Sequence, residues 1–562
     1  MNNIPLRVHE LLSETATLAK QIGTADKNAE SSILSELARL NARIIDIRRD
    51  LQASEIDSMW KAVAVRDHAI NLAARGQVRE AIEMVQILDK HRTQFGEAVV
   101  YIAEMPMTQQ DIELLLRVSS PLTKVNARLL ANIARAQAAV GDKAAAATFK
   151  QALEAADKAP KGLSGNKYLA YAYIAQAQRK AGMAAGSKET FEKSKSMTTH
   201  LAHGHMLPDA FIVIAKAQAQ VGEIDGSKVT ISQAKELVTS LEPALRSIAF
   251  GRIGLLEATL GDRQASMQTF KTAIGDAQSL SPSQKANFLL RIAEYQLMSN
   301  ETEESLKTTG HALEALNQIE GFERDVGLLR TIALFINASA TKKAMPIIGH
   351  SVLDRDKAKG MNCILSEIIN EKERQRYKET FEEFAKTANT IKNRILIFSD
   401  KPVAITHTQA LEETAVVLSI LGDISGALEI VASFEQLRDT DKLKKRAELY
   451  QQGVLKRIGV SLVKNADYDG FMKVTSLMKT QYISGDWARG IASSAAKQGK
   501  ASWAINWSKS EMPLHIKAHI LLGVANGLLN SKSVGVHQYS LPQLDWLEPP
   551  IPESKYRQLV CN

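Results

Sequence analysis

The amino-acid sequence predicts an all-α fold, a right-handed α-solenoid of about twelve stacked helix-turn-helix hairpins. Three observations lead to this prediction. One helix–glycine–helix pattern recurs along most of the 562 residues, its period stays close to 40 residues, and its apolar residues have helical spacing. A single unit that buries its apolar face against neighbouring copies of itself accounts for all three.

The repeated unit is clearest at residues 131–153, which have the pattern of a helix, a glycine turn and a second helix. Ile133 and Gln137, four residues apart, share one face of the first helix. Gly141 is expected to end that helix, because glycine adopts the left-handed conformation of a helix C-terminus without a side-chain clash. Asp142 follows and can accept backbone N–H groups at the start of the second helix. The unit is therefore predicted to be a helical hairpin.

The period of the array follows from aligning the hairpins on their turns. An Ile-Ala pair precedes the turn in five units: Ile133-Ala134, Ile174-Ala175, Ile214-Ala215, Ile292-Ala293 and Ile332-Ala333. The predicted turn residues are Gly141, Gly182, Gly222, Gly261, Asn300 and Ala340. Their successive spacings are 41, 40, 39, 39 and 40 residues. A fixed period of this length with helical hairpins is typical of a solenoid.

The aligned residues resemble the tetratricopeptide-repeat family. That family places a large residue, a Leu-Gly pair and an aromatic in its first helix, and here Ile-Ala stands in place of Leu-Gly. The period is longer than the family's thirty-four residues. A polar column replaces the family's aromatic: Gln137, Gln178, Gln218, Glu257 and Gln296. The resemblance implies a superhelix whose first helices line a concave groove.

The polar column has two interpretations. Its members can form a ladder of side-chain hydrogen bonds from one repeat to the next, or they can satisfy polar groups at the seam between helices. The second interpretation is favoured, because buried amides need hydrogen-bond partners and side chains on a packing stripe are engaged in packing.

The hairpin pattern divides the chain into five segments. The pattern is strongest in the middle of the chain, loosens after residue 353 and resumes near Gly422. Prolines exclude a continuous helix at the C-terminal end. The predicted segments are an N-terminal helical cap (1–55), the repeat array (56–385), an irregular linker or hinge (386–407), C-terminal repeats with a cap helix (408–530) and a proline-containing tail (531–562).

Composition indicates an ordinary soluble chain, with 45% hydrophobic and 23% charged residues. The net charge of 70 − 62 = +8 is small for this length and does not require an acidic partner. Cys363 and Cys561 define neither a disulfide framework nor a metal site. His200, His203 and His205 lie together without an evident fourth ligand, so no metal is predicted. Without a signal peptide or spanning segment, we expect a cytoplasmic protein.

The candidate binding site follows from the resemblance, which places the residue after each Ile-Ala pair in the concave groove. These residues are Arg135, Gln176, Lys216 and Glu294, with Arg179 and Lys180 nearby. A groove lined by charges of both signs favours a polar, selective contact with another protein. The sequence therefore predicts a non-catalytic interaction scaffold or adaptor that binds a peptide or a helix.

Two other functions remain open from the sequence. A nucleic-acid binder built from helical repeats needs a recurring pair of base-reading residues in each unit, and small and hydrophobic residues recur here instead. An enzyme subunit is the other alternative, with a site in the irregular region 354–410. The sequence contains no recognised catalytic or cofactor-binding motif, so neither catalytic residues nor a cofactor are predicted.

Overall fold

The computed structural model describes residues 4–23, 26–41, 59–88, 91–123, 126–158, 167–200, 206–340, 343–344, 346–347, 354–367, 378–397, 405–434 and 441–530. Throughout these ranges the regular elements are helices. The predicted tail at 531–562, and His203 and His205, lie outside them. No helix in the described part of the chain is long and apolar enough to cross a membrane.

The α-helices follow one another along the whole described chain. The first group is α1 (Ile4–Gly23), α2 (Lys27–Asn41), α3 (Met59–Ala74), α4 (Val78–Val85), α5 (Arg92–Ile102), α6 (Gln109–Val118), α7 (Ser120–Thr123), α8 (Ala127–Ala139), α9 (Ala145–Asp157), α10 (Lys167–Lys180), α11 (Ala184–Ser196), α12 (Met206–Gln220) and α13 (Ile224–Val238). The second group is α14 (Pro243–Thr259), α15 (Arg263–Gln278), α16 (Pro282–Met298), α17 (Thr302–Leu316), α18 (Phe322–Asn337), α19 (Asp354–Glu367), α20 (Lys378–Ile397), α21 (Ile405–Ile420), α22 (Ile424–Ser433), α23 (Asp441–Lys464) and α24 (Tyr468–Ser476). The last helices are α25 (Gly485–Lys497), α26 (Ala501–Ser508) and α27 (Leu514–Asn530).

The helices belong to two compact units. The first unit holds the described residues up to Leu237 together with those from Ala488 onwards. The second unit holds the described residues of Val238–Trp487. Most of the regular hairpins in the first unit therefore lie before residue 238, and those in the second unit begin at α14.

The hairpin turns have the geometry that the sequence predicts. Gly141 has φ 77°, in the left-handed region. Its N–H donates to the carbonyl of Ala138 at 3.1 Å, and the N–H of Asp142 donates to the carbonyl of Gln137 at 2.9 Å. This pair of bonds is the Schellman motif, which satisfies carbonyls at the end of the helix. The other predicted turn residues with positive φ are Gly182, Gly222, Gly261 and Asn300.

One predicted turn residue is wrong by a single position. Ser339, with φ 55°, adopts the left-handed conformation in place of Ala340. The N–H of Ala340 donates to the carbonyl of Phe335 at 2.7 Å, so Ala340 occupies the position after the turn. The spacing from Asn300 is therefore 39 residues, and Thr331-Ile332 rather than Ile332-Ala333 aligns with the Ile-Ala pairs.

Apolar packing holds the hairpins, and a serine adds a hydrogen bond in three of those described, whereas Ser266 at the same position has no partner among the described residues. Phe149 on α9 packs in one buried cluster with Ala134, Tyr171 and Ile174 on the flanking first helices. Burying a side chain of that size stabilises the fold by about 1.5–3 kcal/mol. Five residues after the turn, a serine hydroxyl donates to a first-helix carbonyl, as Ser187, Ser227 and Ser305 do to Ala175, Ala215 and Ala293 at 2.8, 2.7 and 2.7 Å.

Two members of the polar column bond across the seam within their own hairpin, as the favoured interpretation predicts. The amide oxygens of Gln137, Gln178 and Gln296 are buried without a hydrogen-bond partner in the described part of the chain. All five members are buried. The Gln218 amide oxygen accepts from the hydroxyl of Thr230 at 2.7 Å, and the Glu257 carboxylate accepts from Thr269 at 2.6 Å. Each threonine belongs to the second helix of the same hairpin. These two bonds therefore join the helices of one hairpin, and not one repeat to the next.

The predicted N-terminal cap and the last helix pack against each other within the first unit. Helices α1 and α2 both contact α27. Apolar side chains such as Leu12 and Leu521 are buried in these helices, and Glu36 forms an ion pair with Arg489 at 3.0 Å. Gly523 allows α27 to approach the backbone of α25 closely, because a Cβ there lies 2.3 Å from the carbonyl oxygen of Arg489. The two expected caps thus cover each other's apolar surface.

The predicted irregular linker at 386–407 is wrong over most of its length. Residues 386–397 belong to α20, and residues 405–407 begin α21. Phe384, Ala388 and Ile391 have helical spacing and are buried, which explains why this segment is a helix. Lys392 also forms an ion pair with Glu429 at 2.8 Å. Residues 398–404 lie outside the described residues.

Candidate partner-binding face

The predicted groove residues share one side of the first helices. We call this side of the first helices the first-helix face. In the first unit it holds Asn132, Arg135, Gln176 and Lys216, and in the second unit it holds Arg291 and Glu294. Asn132 and Arg291 lie one position before an Ile-Ala pair, and the other four lie one position after a pair. The two positions are i and i+3, which lie on the same side of a helix. All six are half-buried, between the core and solvent.

Arg135 binds the end of the preceding helix. Its Nη2 donates to the carbonyl oxygens of Ala103 and Glu104 at 3.2 and 2.8 Å, at the C-terminus of α5. Those carbonyls have no partner within their own helix, and a cation there also interacts favourably with the helix dipole. Burial lowers the pKa of Arg135, and the nearby Glu104 carboxylate opposes that shift. Arg135 thus holds two consecutive repeats together.

A polar cluster surrounds Arg135 in the first unit. Glu104 accepts from Arg128 Nη2 at 2.7 Å and from Asn132 Nδ2 at 3.4 Å. The Arg128 guanidinium lies over the ring of Tyr173, 4.5 Å from its centroid, and donates to the Tyr173 hydroxyl at 3.3 Å. Burial raises the pKa of Tyr173 to about 12, with Arg128 opposing and Glu104 adding to the shift.

The sequence also carries a signal for Glu104 that the motif alignment did not use. Glu104 follows the Ile102-Ala103 pair directly, so it belongs to the same column as Arg135. That pair lies in an irregular unit before the clear repeats. Extending the column rule to it identifies the carboxylate on which the cluster is centred.

The other predicted residues of the first unit lie on α10 and α12. Gln176 Nε2 donates to the carbonyl of Ala217 at 3.0 Å and to Gln220 Oε1 at 2.9 Å, so it joins these two first helices. Lys216 is half-buried on α12, and Lys180 is exposed in the last turn of α10. Arg179, beside Lys180, is close enough to Glu223 to lower the pKa of that carboxyl against the larger effect of burial.

Glu294 is the centre of a second cluster, in the second unit. Its carboxylate pairs with Arg330 Nη2 at 2.8 Å and with Arg291 Nη1 at 3.6 Å. Arg330 Nη1 also donates to Asn287 Oδ1 at 2.6 Å. A sequence position one residue after an Ile-Ala pair therefore again makes contact with the next first helix.

A similar polar junction occurs further along the second unit. Arg457 on α23 donates to the carboxylates of Glu412 and Glu413 on α21 at 3.1 and 2.6 Å. Burial acts against the charge of Arg457, but these carboxylates outweigh it and raise its pKa. The Glu413 carboxylate also accepts from Asn362 Nδ2 at 3.3 Å.

The first-helix face carries charges of both signs and side-chain amides. Its ion pairs and amides can bind a polar chain, and the pairing fixes their orientation. Among the described residues, no group of three or more His, Cys, Asp or Glu side chains is placed to hold a metal ion. Five of the six predicted groove residues lie in the first unit and Glu294 in the second, and their role in binding stays a prediction.

Comparison with known proteins identifies no family. No family model matches the chain, and no curated protein matches it. Among solved structures, the crystal structure of Ton1535 from Thermococcus onnurineus NA1 is 16% identical with a TM-score of 0.28, covering 60% of this chain and 96% of that chain. A circular tandem repeat protein with novel repeat topology is 13% identical with a TM-score of 0.15, covering 94% of this chain and 96% of that one. In the residues that the structure describes, the regular elements are helices in recurring hairpins.

Proposed function

We propose that this protein is a non-catalytic interaction scaffold or adaptor of the cytoplasm. In this proposal the hairpins form a right-handed, tetratricopeptide-like solenoid of about twelve units. Its first-helix face binds a peptide or a helix of another protein. The observation that carries the proposal is the set of polar contacts between consecutive first helices along that face.

These contacts prepare the face for binding. The side chains of Arg128, Glu104 and Tyr173 are already ordered by one another. A partner that binds ordered side chains loses less conformational entropy than one that must fix mobile lysines and arginines. Charges of both signs then select a partner with a complementary arrangement and disfavour others.

The same face argues against the two alternatives. Glu104 and Glu294 stand in the column that also holds Arg135 and Lys216, and acidic groups repel a continuous line of phosphates. The enzyme alternative was based on an irregular stretch at 354–410. That basis is weakened, because α20 and α21 occupy most of its second half.

Site-specific photo-crosslinking tests the proposal. A photoreactive amino acid replaces Lys180, which is exposed at the end of a first helix, and a matched variant carries it at Lys188, exposed on the second helix of the same hairpin. In extract of the native cell, we expect a protein adduct from position 180 and none from position 188. Equal adducts from both positions, or adducts removed by nuclease, contradict the proposal.

A further inference from the structure

An arginine recurs at the same position of three consecutive first helices in the second unit. Because Ser339 adopts the left-handed conformation at the turn after α18, the register of that hairpin shifts by one residue. Arg330 then aligns with Arg291, and Arg291 with Arg252, at spacings of 39 residues. We name these three residues the arginine column. The register predicted from the Ile-Ala pairs had hidden its third member.

The members of the arginine column lie on helices that pack side by side. Helix α16 contacts both α14 and α18. Packed helix axes are about 8–10 Å apart, so equivalent positions on neighbouring helices are about 10 Å apart. Arg291 and Arg330 keep 34% and 26% of their side-chain surface exposed, enough for a ligand to reach them.

The charges of Arg291 and Arg330 in this column are only partly balanced. Glu294 is shared between Arg291 and Arg330, and Asn287 accepts from Arg330 without adding charge. A guanidinium has five N–H donors, so one carboxylate cannot saturate two of them. Glu294 therefore orients the two arginines and leaves donor capacity for a second anionic group.

We propose that Arg291 and Arg330 of the arginine column bind an acidic peptide in the extended polyproline II conformation, with a carboxylate at every third residue. That conformation rises about 3.1 Å per residue and turns once in three residues, so every third side chain lies on the same side of the peptide at a spacing of about 9 Å. Arginine suits this ligand because its planar fork binds a carboxylate through two parallel hydrogen bonds. The inference rests on the proposed scaffold function and names the chemistry of one ligand.

A peptide fits the column better than a nucleic acid does. Glu294 lies beside the arginine column, paired with Arg291 and Arg330, and repels a continuous phosphate chain, whereas separate carboxylates can pass on either side of it. Binding of single-stranded nucleic acid also relies on exposed aromatic rings that stack on bases. Tyr295, next to Glu294, is 7% exposed and contributes to the core.

Fluorescence anisotropy with the full chain tests the inference. The probe is a labelled peptide of repeated Glu-Ser-Ser units, and the comparison peptide has the same composition with its glutamates in one block. We expect the repeated peptide to bind about tenfold more tightly, and its affinity to fall as salt is added. Equal affinity for the two peptides overturns the proposed spacing.

Two variants locate the binding. Arg291→Gln with Arg330→Gln is expected to weaken binding of the repeated peptide by about tenfold or more. The matched control, Lys271→Gln with Lys307→Gln, removes the same charge from exposed sites on second helices and is expected to bind like the parent. Arg291→Gln alone loses only the longer, 3.6 Å pair with Glu294, so it reports on binding with little effect on folding. Unchanged affinity in that single variant and in the double variant overturns the inference.

The outcomes also separate this inference from the proposed function. Tighter binding of an oligothymidine of about 20 nucleotides than of the repeated peptide overturns the acidic-peptide inference in favour of nucleic acid. If photo-crosslinks form at Lys180 while the arginine variants bind the peptide like the parent, the scaffold function stands and the inference fails. If the arginine column binds the peptide but no protein adduct forms at Lys180, the inference stands. The proposal that the first helices near Lys180 bind a partner protein is then contradicted.

Discussion

Two neighbouring turns of the second unit carry an aspartate and a glutamate at the same position. These side chains differ by one methylene group, and their carboxylates have different surroundings. The turn between α14 and α15 holds Gly261 and Asp262, and the turn between α16 and α17 holds Asn300 and Glu301. In both, the first residue adopts a left-handed conformation, with φ 79° at Gly261 and 61° at Asn300. In both, an acidic residue comes directly after the left-handed residue and directly before the second helix. The two turns therefore differ in side chains and share one backbone path.

The two acidic residues have opposite outcomes. The Asp262 carboxylate accepts the N–H of Ala265 at 3.1 Å and caps α15. Glu301 is 5% exposed, and neither carboxylate oxygen has a hydrogen-bond partner in the described part of the chain. Burial raises the pKa of Glu301; Arg263 acts against that shift and Glu304 adds to it.

Glu223 repeats the second outcome in another hairpin. It occupies the same position after Gly222, its Oε2 has no partner among the described residues, and burial raises its pKa. At this position Asp262 caps the second helix, whereas the longer Glu301 buries its carboxylate.

Exchanging the two acids is expected to give the largest effect. Glu301→Asp supplies a cap worth about 1 kcal/mol and removes an unsatisfied buried carboxylate that costs about 1–3 kcal/mol. Asp262→Glu is expected to destabilise its own hairpin by a similar amount. Since repeats unfold locally, hydrogen exchange of the first-turn amides of α17 and α15 is the measurement. Faster exchange in α17 of Glu301→Asp contradicts the comparison.

The sequence predicted the hairpins better than their register. Glycine marks a left-handed position clearly, so Gly141 and Gly261 were located from the pattern alone. Ser339 was missed because a serine rarely adopts that conformation and the Ile332-Ala333 pair suggested another alignment. The helix at 386–397 does not follow from the repeat pattern, because the repeat weakens there and Pro402 follows, although Ala388 and Ile391 have helical spacing and are buried.

The repeat alignment predicted the positions of the candidate site residues but not the residues that they contact. The rule of one residue after each Ile-Ala pair located Arg135 and Glu294 on the first-helix face. Their partners, Ala103 with Glu104 and Arg330, lie 31–36 residues away along the chain. Whether a side chain reaches such a partner depends on side-chain length, rotamer and helix crossing, and the repeat period carries none of these.

The pH dependence of Glu301 gives the second-largest effect. Because its pKa is raised above the usual 4.5, the folded state binds a proton that the unfolded state releases. This stabilisation is complete below about 4.5 and is lost as pH rises through the folded pKa. Glu301→Gln removes the titration, so we expect the variant to gain about 1 kcal/mol over the parent at neutral pH and little at acid pH.

Urea unfolding of parent and variant at both pH values checks this expectation. Other carboxylates titrate equally in the two chains, so the difference between the chains isolates Glu301. Glu304→Gln, which removes the neighbouring charge from a half-buried site, is the control and is expected to leave most of the pH dependence of the unfolding free energy unchanged. A difference that stays constant from acid to neutral pH contradicts an unpartnered buried carboxylate.

The left-handed residues of the two turns give the smallest effect. Asn300→Gly is expected to stabilise the hairpin by a few tenths of a kcal/mol, because asparagine tolerates this conformation less well than glycine does. Gly261→Asn is expected to cost a similar amount by backbone conformation alone, since no atom lies within 4 Å of a Cβ built at Gly261. The measurement is the urea midpoint of each single variant and of the double exchange. Opposite single effects that cancel in the double variant indicate that Gly261 and Asn300 act through backbone conformation alone. A double variant well below the parent indicates that Asn300 has a further contact.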